Sequence, residues 1–212
     1  MDSVAFAFCD AVVGTIKDVP SLGASVPEAK WNKALQDHSS QRRSFAVHFG
    51  CLSGTWGYTF VRVNPLRPLS CHNWDEIQTI NPKYLRIWTV SFREAYFYSV
   101  TVSTMSQIAQ RVANCMNFSL LAITNYDFPD DKVAHFLSFF KNVDLREFDS
   151  GTFRESSMNF ARNLIRTNSS SLKKMLIYKN FYDLLKDDLK DLQQRRGVTI
   201  EKVDSDCCIN LV

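Results

Sequence analysis

The sequence predicts an α/β fold: an N-terminal helical segment and a β-hairpin, followed by irregular strand–helix repeats. Three observations carry that prediction. Five six-residue stretches, starting at residues 85, 121, 143, 175 and 198, place apolar residues at their first and third positions, the spacing that puts two side chains on one face of a strand. A helical pattern lies between successive stretches. The steps between starts, 36, 22, 32 and 23 residues, are irregular, but the order is always strand then helix, which argues a parallel sheet or a solenoid of stacked units.

Residues 3–17 read as an amphipathic helix. Ser3 can cap it, Val4, Phe8, Val12 and Ile16 recur every four residues, and Ala5, Cys9 and Val13 widen the stripe. The run 18–23 is rich in turn formers. A second helix fits 27–36, with Pro27 in its first turn and Trp31 and Leu35 one turn apart. The polar stretch 37–43 follows it. Next come two strands. Phe45, Val47 and Phe49 alternate on one side of the first, Trp56, Tyr58 and Phe60 on one side of the second, and residues 51–54 join them as a hairpin. Residues 64–72 hold Pro65 and Pro68 and read as loop, the boundary between the N-terminal unit and the repeats; residues 74–80 form a short helical turn.

The repeats begin near Tyr84. No structure can be assigned to the aromatic run at Tyr96, Phe97 and Tyr98. A helix over 103–116 faces inward with Met105, Ile108, Ala109, Val112 and Met116. Pro129 and Asp130 open another, with Val133, Phe136, Leu137 and Phe140 inward. Residues 152–166 carry Met158, Ala161, Leu164 and Ile165, and residues 182–195 carry Leu185, Leu189 and Leu192 before a C-capping Gly197. The strand at 198–203 leads into a polar tail expected to fray. Leucine-rich repeats place L-x-L-x-x-N on the strand, and Met175 to Asn180 fit that pattern, whereas the other copies hold an apolar residue at the Asn position. A leucine-rich-like stack and a compact parallel sheet both remain open. The organisation expected is 1–43 helical, 44–72 hairpin and linker, and 73–212 repeats.

A hydrophobic content of 45% and a charged content of 22% suit an ordinary globular chain of 212 residues. The formal charge of +3 is too small for a nucleic-acid module, and the pairs Lys173-Lys174 and Arg195-Arg196 read as solvated surface. The six cysteines are scattered apart from Cys207 and Cys208, so no disulfide framework is expected. Asp2 stands where a signal peptide would be basic, and Asp10 interrupts an apolar run too short to span a bilayer. These features predict an intracellular chain, cytoplasmic or nuclear, with reduced thiols and no membrane partner. The sequons at Asn117 and Asn168 then carry no glycan, and Cys208 lies one residue too far from the terminus for a prenylation box.

No catalytic, metal or cofactor site is expected. Cys71 and His72 are adjacent, and neighbours seldom face each other productively. His48 and Cys51 have a loosely metal-like spacing, but no second pair completes the four ligands that zinc requires. His135 lies beside an apolar helical face and reads as structural. Asp183, Asp187, Asp188 and Asp191 follow helical spacing opposite the leucine stripe and read as a solvated face. No glycine pattern resembles a phosphate cradle.

The N-terminal stretches Met1-Asp-Ser-Val4 and Phe8-Cys-Asp10, together with Trp31 and Arg42-Arg43, resemble a nematode family of F-box-like proteins, in which such helices precede β-hairpins and a degenerate leucine-rich-like α/β region. The resemblance spans nearly the whole chain, with Val4-Ala5 where an F-box usually opens with Leu-Pro. It implies that residues 1–43 dock to a Skp-type adaptor of a cullin–RING ubiquitin ligase through Val4, Phe8, Val12, Ile16 and Trp31. The repeats would then select a substrate protein. The alternatives are that these side chains pack on the chain's own strands, or that the protein acts alone without a ligase.

Strand alternation also predicts an outward set on the repeats. Among its members Arg86, Trp88, Arg146 and Tyr178 are of the types most often found as binding hot spots, and they are the expected partner-binding residues. If helices cover that face too, as in a doubly wound sheet, Trp88 and Tyr178 become core.

Overall fold

A computed structural model describes residues 5–15, 29–63, 70–93, 98–123, 129–141, 145, 147–150, 155–167, 174–195, 198–203 and 206–211. Among them the chain is mixed α/β. Two helices, α1 (Phe6–Thr15) and α2 (Ala29–Gln41), lead into β1 (Arg43–Leu52) and β2 (Thr55–Arg62). There follow β3 (Cys71–His72), α3 (Trp74–Gln78), β4 (Leu85–Arg93) and β5 (Tyr98–Val100). Next are α4 (Val102–Asn114), β6 (Met116–Ile123), α5 (Asp130–Phe140), β7 (Glu147–Ser150), α6 (Glu155–Thr167), β8 (Lys174–Tyr178) and α7 (Lys179–Arg195). The strands β9 (Val198–Val203) and β10 (Asp206–Leu211) end the described chain.

All strands join one sheet of order β3-β2-β1-β4-β6-β7-β8-β10-β9, with β5 also on β2. The run β1-β4-β6-β7-β8 is parallel throughout. Helices α4 to α7 pack on one another in chain order, so each strand–helix unit buries its apolar face with its neighbour's help. Strand register makes this legible. Phe60, Val47, Val90, Leu121, Phe148 and Met175 stand side by side across six strands, and all six are buried in the main core. The next row reads Thr59, His48, Ser91, Ala122, Asp149 and Leu176. Those residues point to the other face, as a period of two dictates.

β1 and β2 form a hairpin closed by Ser53 and Gly54, with φ of 49° and 79°. Two residues at positive φ give the turn whose twist matches the strands, and glycine adopts it without cost. β2 is blunted as an edge by two short partners: β3 covers Phe60 and Val61, and β5 covers residues 56–58. The hairpin shares the sheet and the core of the repeats.

Several expectations shift. The first helix buries Cys9 and Val13, not the Phe8–Val12 edge of the predicted stripe. These smaller side chains let α1 approach Ala34 and Leu35 of α2, and together the four make a small core of their own. The polar stretch after residue 36 continues α2 to Gln41, because His38 falls one turn beyond Ala34 and is buried on the same face. The tail does not fray: residues 206–211 form β10, inserted antiparallel between β8 and β9. The alternation of strands and helices stands, while the leucine-rich likeness is not confirmed. Asn180, read as the ladder asparagine, belongs to α7.

Between the helices, Asp188 binds Arg162 at 3.0 Å and Arg166 at 2.9 Å, tying α7 to α6. One carboxylate of the expected solvated face is therefore an interhelical bridge. Ser156 Oγ donates to Asp130 at 2.6 Å, joining α6 to the first turn of α5. His135, exposed on α5, is bonded to Ser106 of α4 at 3.1 Å and lies edge-on to Phe139.

Candidate interaction site

The helix pair is attached to the sheet by polar contacts around the end of α1. The last carbonyls of a helix have no partner within it. Here Arg42 Nη2 donates to Val13 O at 3.0 Å, and Arg86 Nη2 donates to Gly14 O at 2.7 Å. Cations at that end also suit the helix dipole. Asp10, one turn earlier, accepts from Lys83 at 2.8 Å and lies 3.2 Å from His38 Nε2. The Lys83 hydrogen bond holds the Asp10 carboxyl below the ordinary range.

His38 is 1% exposed and lies edge-on to Tyr84, ring centres 5.1 Å apart. Arg42 Nη2 is 3.3 Å from its Nδ1. A guanidinium can only donate, so Nδ1 is the acceptor and Nε2 carries the proton toward Asp10. That is a neutral tautomer. Burial, then the Arg42 charge, pushes the His38 pKa down. Burial, then Arg86, pushes Arg42 down to about 10.

Of the residues expected to meet an adaptor, Phe8 is 56% exposed and meets Trp31 edge to face at 6.2 Å. Trp31 and Val12 are half-buried. Val4 and Ile16 lie outside the described residues. An aromatic side chain left in water beside another aromatic is the kind of surface a partner covers.

Of the four residues expected on the repeats, Arg86 is not at an open surface. It is 9% exposed, and its guanidinium donates to Leu85 O and Gly14 O. Its outward position on β4 meets the C-terminal end of α1, a contact 72 residues apart that strand alternation cannot foresee. Trp88 is 37% exposed and occupies a bulge. Against β1, adjacent Phe45 and Ala46 pair with Ile87 and Thr89, so Trp88 is the extra residue on that side, whereas against β6 the longer strand is β6, with residues 117–119 between Met116 and Leu120. The extra residue opposite β1 flips the phase so that Val90 and Phe92 point inward. The three-residue gap between Ile87 and Val90 was the available signal. Arg146 and the side chain of Tyr178 lie outside the described residues.

Sequence reasoning missed one constellation. Ser70 Oγ lies 2.9 Å from His72 Nε2, and His72 Nδ1 lies 2.6 Å from Glu76 Oε2. Strand alternation puts Ser70 and His72 on one side, away from Cys71, and the first turn of α3 brings up Glu76. The order hydroxyl, imidazole, carboxylate is that of a nucleophile relay. Glu76, however, is 52% exposed, so the carboxylate that would orient the base is held in water. The network joins β3 to α3, alongside Asn73, which caps α3 by accepting from Glu76 N.

Metal-like spacing does not become a site. His48 faces Ser91, bonded at 2.6 Å, whereas Cys51 belongs to the core on the opposite face. Among the described residues no group of three or more His, Cys, Asp or Glu could hold a metal, and no helix is long and apolar enough to cross a membrane.

The chain matches no family model, no curated protein and no solved structure.

Proposed function

We propose that the chain is a protein-interaction module, the substrate-recognition adaptor of a cullin–RING ubiquitin ligase. The helix pair would dock a Skp-type adaptor, and the repeats would hold the protein to be ubiquitinated. It would act in the cytoplasm or nucleus, without catalysis, metal, cofactor, nucleic acid or membrane. The observation that carries this reading is Phe8: an exposed aromatic on a helix pair whose own small core does not enclose it. Aromatic anchors of this kind dominate binding energy at interfaces.

A specific observation also favours a stand-alone interaction protein. On the helix pair Phe8 is the one large hydrophobic residue strongly exposed among the described residues, a narrow face for an adaptor, while Trp88 offers a second aromatic on the sheet.

Co-purification of the tagged chain with a Skp-type adaptor and cullin tests both. The ligase reading expects the adaptor in the eluate and its loss in Phe8→Ala, with the melting temperature unchanged because Phe8 is exposed. Capture of another protein by the wild type, lost in Trp88→Ala and retained in Phe8→Ala, supports the stand-alone reading. A large fall in melting temperature for Phe8→Ala, about 3 kcal/mol or more as for a core phenylalanine, removes the ligase argument.

A further inference from the structure

The end of α1 is held against the sheet by charged groups arranged around one buried imidazole, that of His38 on α2. Three parts of the fold face this ring. From α1 come the Asp10 carboxylate, 3.2 Å from Nε2, and the backbone of Gly14, so close that a side-chain carbon there would lie 3.7 Å from the ring. From the junction into β1 comes Arg42, its Nη2 3.3 Å from Nδ1. From the start of β4 and the residues before it come the Arg86 charge and Tyr84, packed edge-on. Lys83 completes the set, bonded to Asp10 at 2.8 Å.

This arrangement suits a neutral ring and not a cationic one. Nδ1 accepts from Arg42. With a proton there the imidazole has two donors and no acceptor, and the contact becomes donor against donor between two cations 3.3 Å apart. The same Arg42 nitrogen donates to Val13 O at 3.0 Å, so a displaced guanidinium releases the last turn of α1. Asp10 attracts the new charge, but that carboxylate is already shared with Lys83. Burial, then the Arg42 charge, outweighs the pull of Asp10 and sets the His38 pKa below its ordinary 6.5. A ring that reaches water regains the ordinary value, so uptake of the proton favours the open seam.

We propose that the seam is an acid-operated latch: a proton on His38 Nδ1 frees α1 while the strand–helix core stays folded. The imidazole is the sensor, and Arg42 passes its charge state to the Val13 carbonyl. The seam is closed above pH 6.5 and opens as the pH falls through that value toward the lower folded pKa. The opening is local because α1 packs in a small core separate from the main one. It uncovers Cys9 of the small core, whereas Cys51 of the main core stays enclosed. The latch stands apart from the ligase reading, since it holds whatever the helix pair binds.

Thiol labelling of the full chain tests this, with an aromatic disulfide whose acidic leaving thiol keeps it reactive at low pH. Peptide mapping follows Cys9 and Cys51 separately from about pH 7.5 to about pH 5, across the histidine range. Each rate is divided by that of an unstructured peptide bearing the same cysteine, which removes the intrinsic pH dependence of the thiol. The expected result is a rise at Cys9 of up to about tenfold per pH unit, ending once the ring is protonated in both states, while Cys51 stays protected. His38→Gln keeps a neutral donor and acceptor near the ring's place and should abolish the rise. If it fails to fold, His38→Asn takes its place, and the wild-type ratio of Cys9 to Cys51 labelling decides. Cys9 and Cys51 opening together in acid, no rise at Cys9, or an equal rise in the amide variant overturns the proposal.

Discussion

Arg86, on the fourth strand, donates from Nη2 to the carbonyl of Gly14 at 2.7 Å, closing the open end of the first helix from 72 residues away. The same guanidinium also holds Leu85 O at 2.8 Å. One buried side chain therefore satisfies carbonyls on both the helix pair and the sheet. The helix pair's apolar contacts form a separate core, so its placement depends on such polar links.

Replacing Arg86 should loosen the helix pair while leaving the sheet folded. Hydrogen bonds to charged groups contribute about 1.5–3 kcal/mol each, offset by relief of the desolvated charge near Arg42. We expect Arg86→Met to lose amide-exchange protection across residues 6–15 while β6 to β8 stay protected. Arg86→Lys should rescue it only partly, because one ammonium cannot reproduce the fork. Uniform loss of protection across the chain would show that the helix pair and the sheet unfold as one.

Stability should fall in acid through His38. Its folded pKa lies below the ordinary value of 6.5, so the unfolded chain takes up the proton first. The contribution is complete above 6.5 and is lost as the pH falls through that value and then through the lower folded pKa. The groups facing the ring are Asp10, Arg42, Arg86 and Tyr84. Asp10, depressed by Lys83, adds a loss of the same sign at lower pH, in the carboxylate range. Denaturant midpoints across this window should decline less steeply in His38→Gln; an identical profile would assign the acid sensitivity elsewhere.

Trp88 should matter to binding more than to folding. It is the inserted residue of a bulge and partly solvated, so Trp88→Ala should cost less than the roughly 3–5 kcal/mol of a core tryptophan. A partner that uses it as an anchor should lose about 2 kcal/mol or more. Thermal melts together with affinity for a captured partner measure both, and a core-sized stability loss with no binding change would make Trp88 purely structural.

The Ser70–His72–Glu76 network should act as a tie between β3 and α3. His72→Ala should destabilise by about 1 kcal/mol, the net worth of ordinary hydrogen bonds. Ser70 should resist fluorophosphonate labelling, since the carboxylate behind its base is largely solvated. Stoichiometric labelling, lost in Ser70→Ala, would turn the tie into a nucleophile site.

Much of the architecture was legible in the chain. The inward pairs Leu85 and Ile87, Leu121 and Ile123, and Met175 and Ile177 are buried as their spacing required, as are the stripe of α5 and that of α4 apart from Met116, which instead opens β6. Those patterns are local, and a period of two or of 3.6 suffices to read them. The phase of β4 beyond Ile87 was not legible by alternation, because a bulge inserts Trp88 without changing composition.

The candidate sites divide in the same way. Phe8 and Trp31 were marked by helical spacing, but only the packing of α1 on α2 decided that Cys9 and Val13 go inside and Phe8 stays in water. Arg86 was correctly placed on the outward side of its strand, yet only tertiary structure brings the end of α1 over it. The sequence by itself determined which side chains leave each strand and helix on its apolar face, because that follows from backbone periodicity. What the polar ones meet was decided by the tertiary structure, because a charged group's partner depends on what the fold delivers within hydrogen-bonding reach.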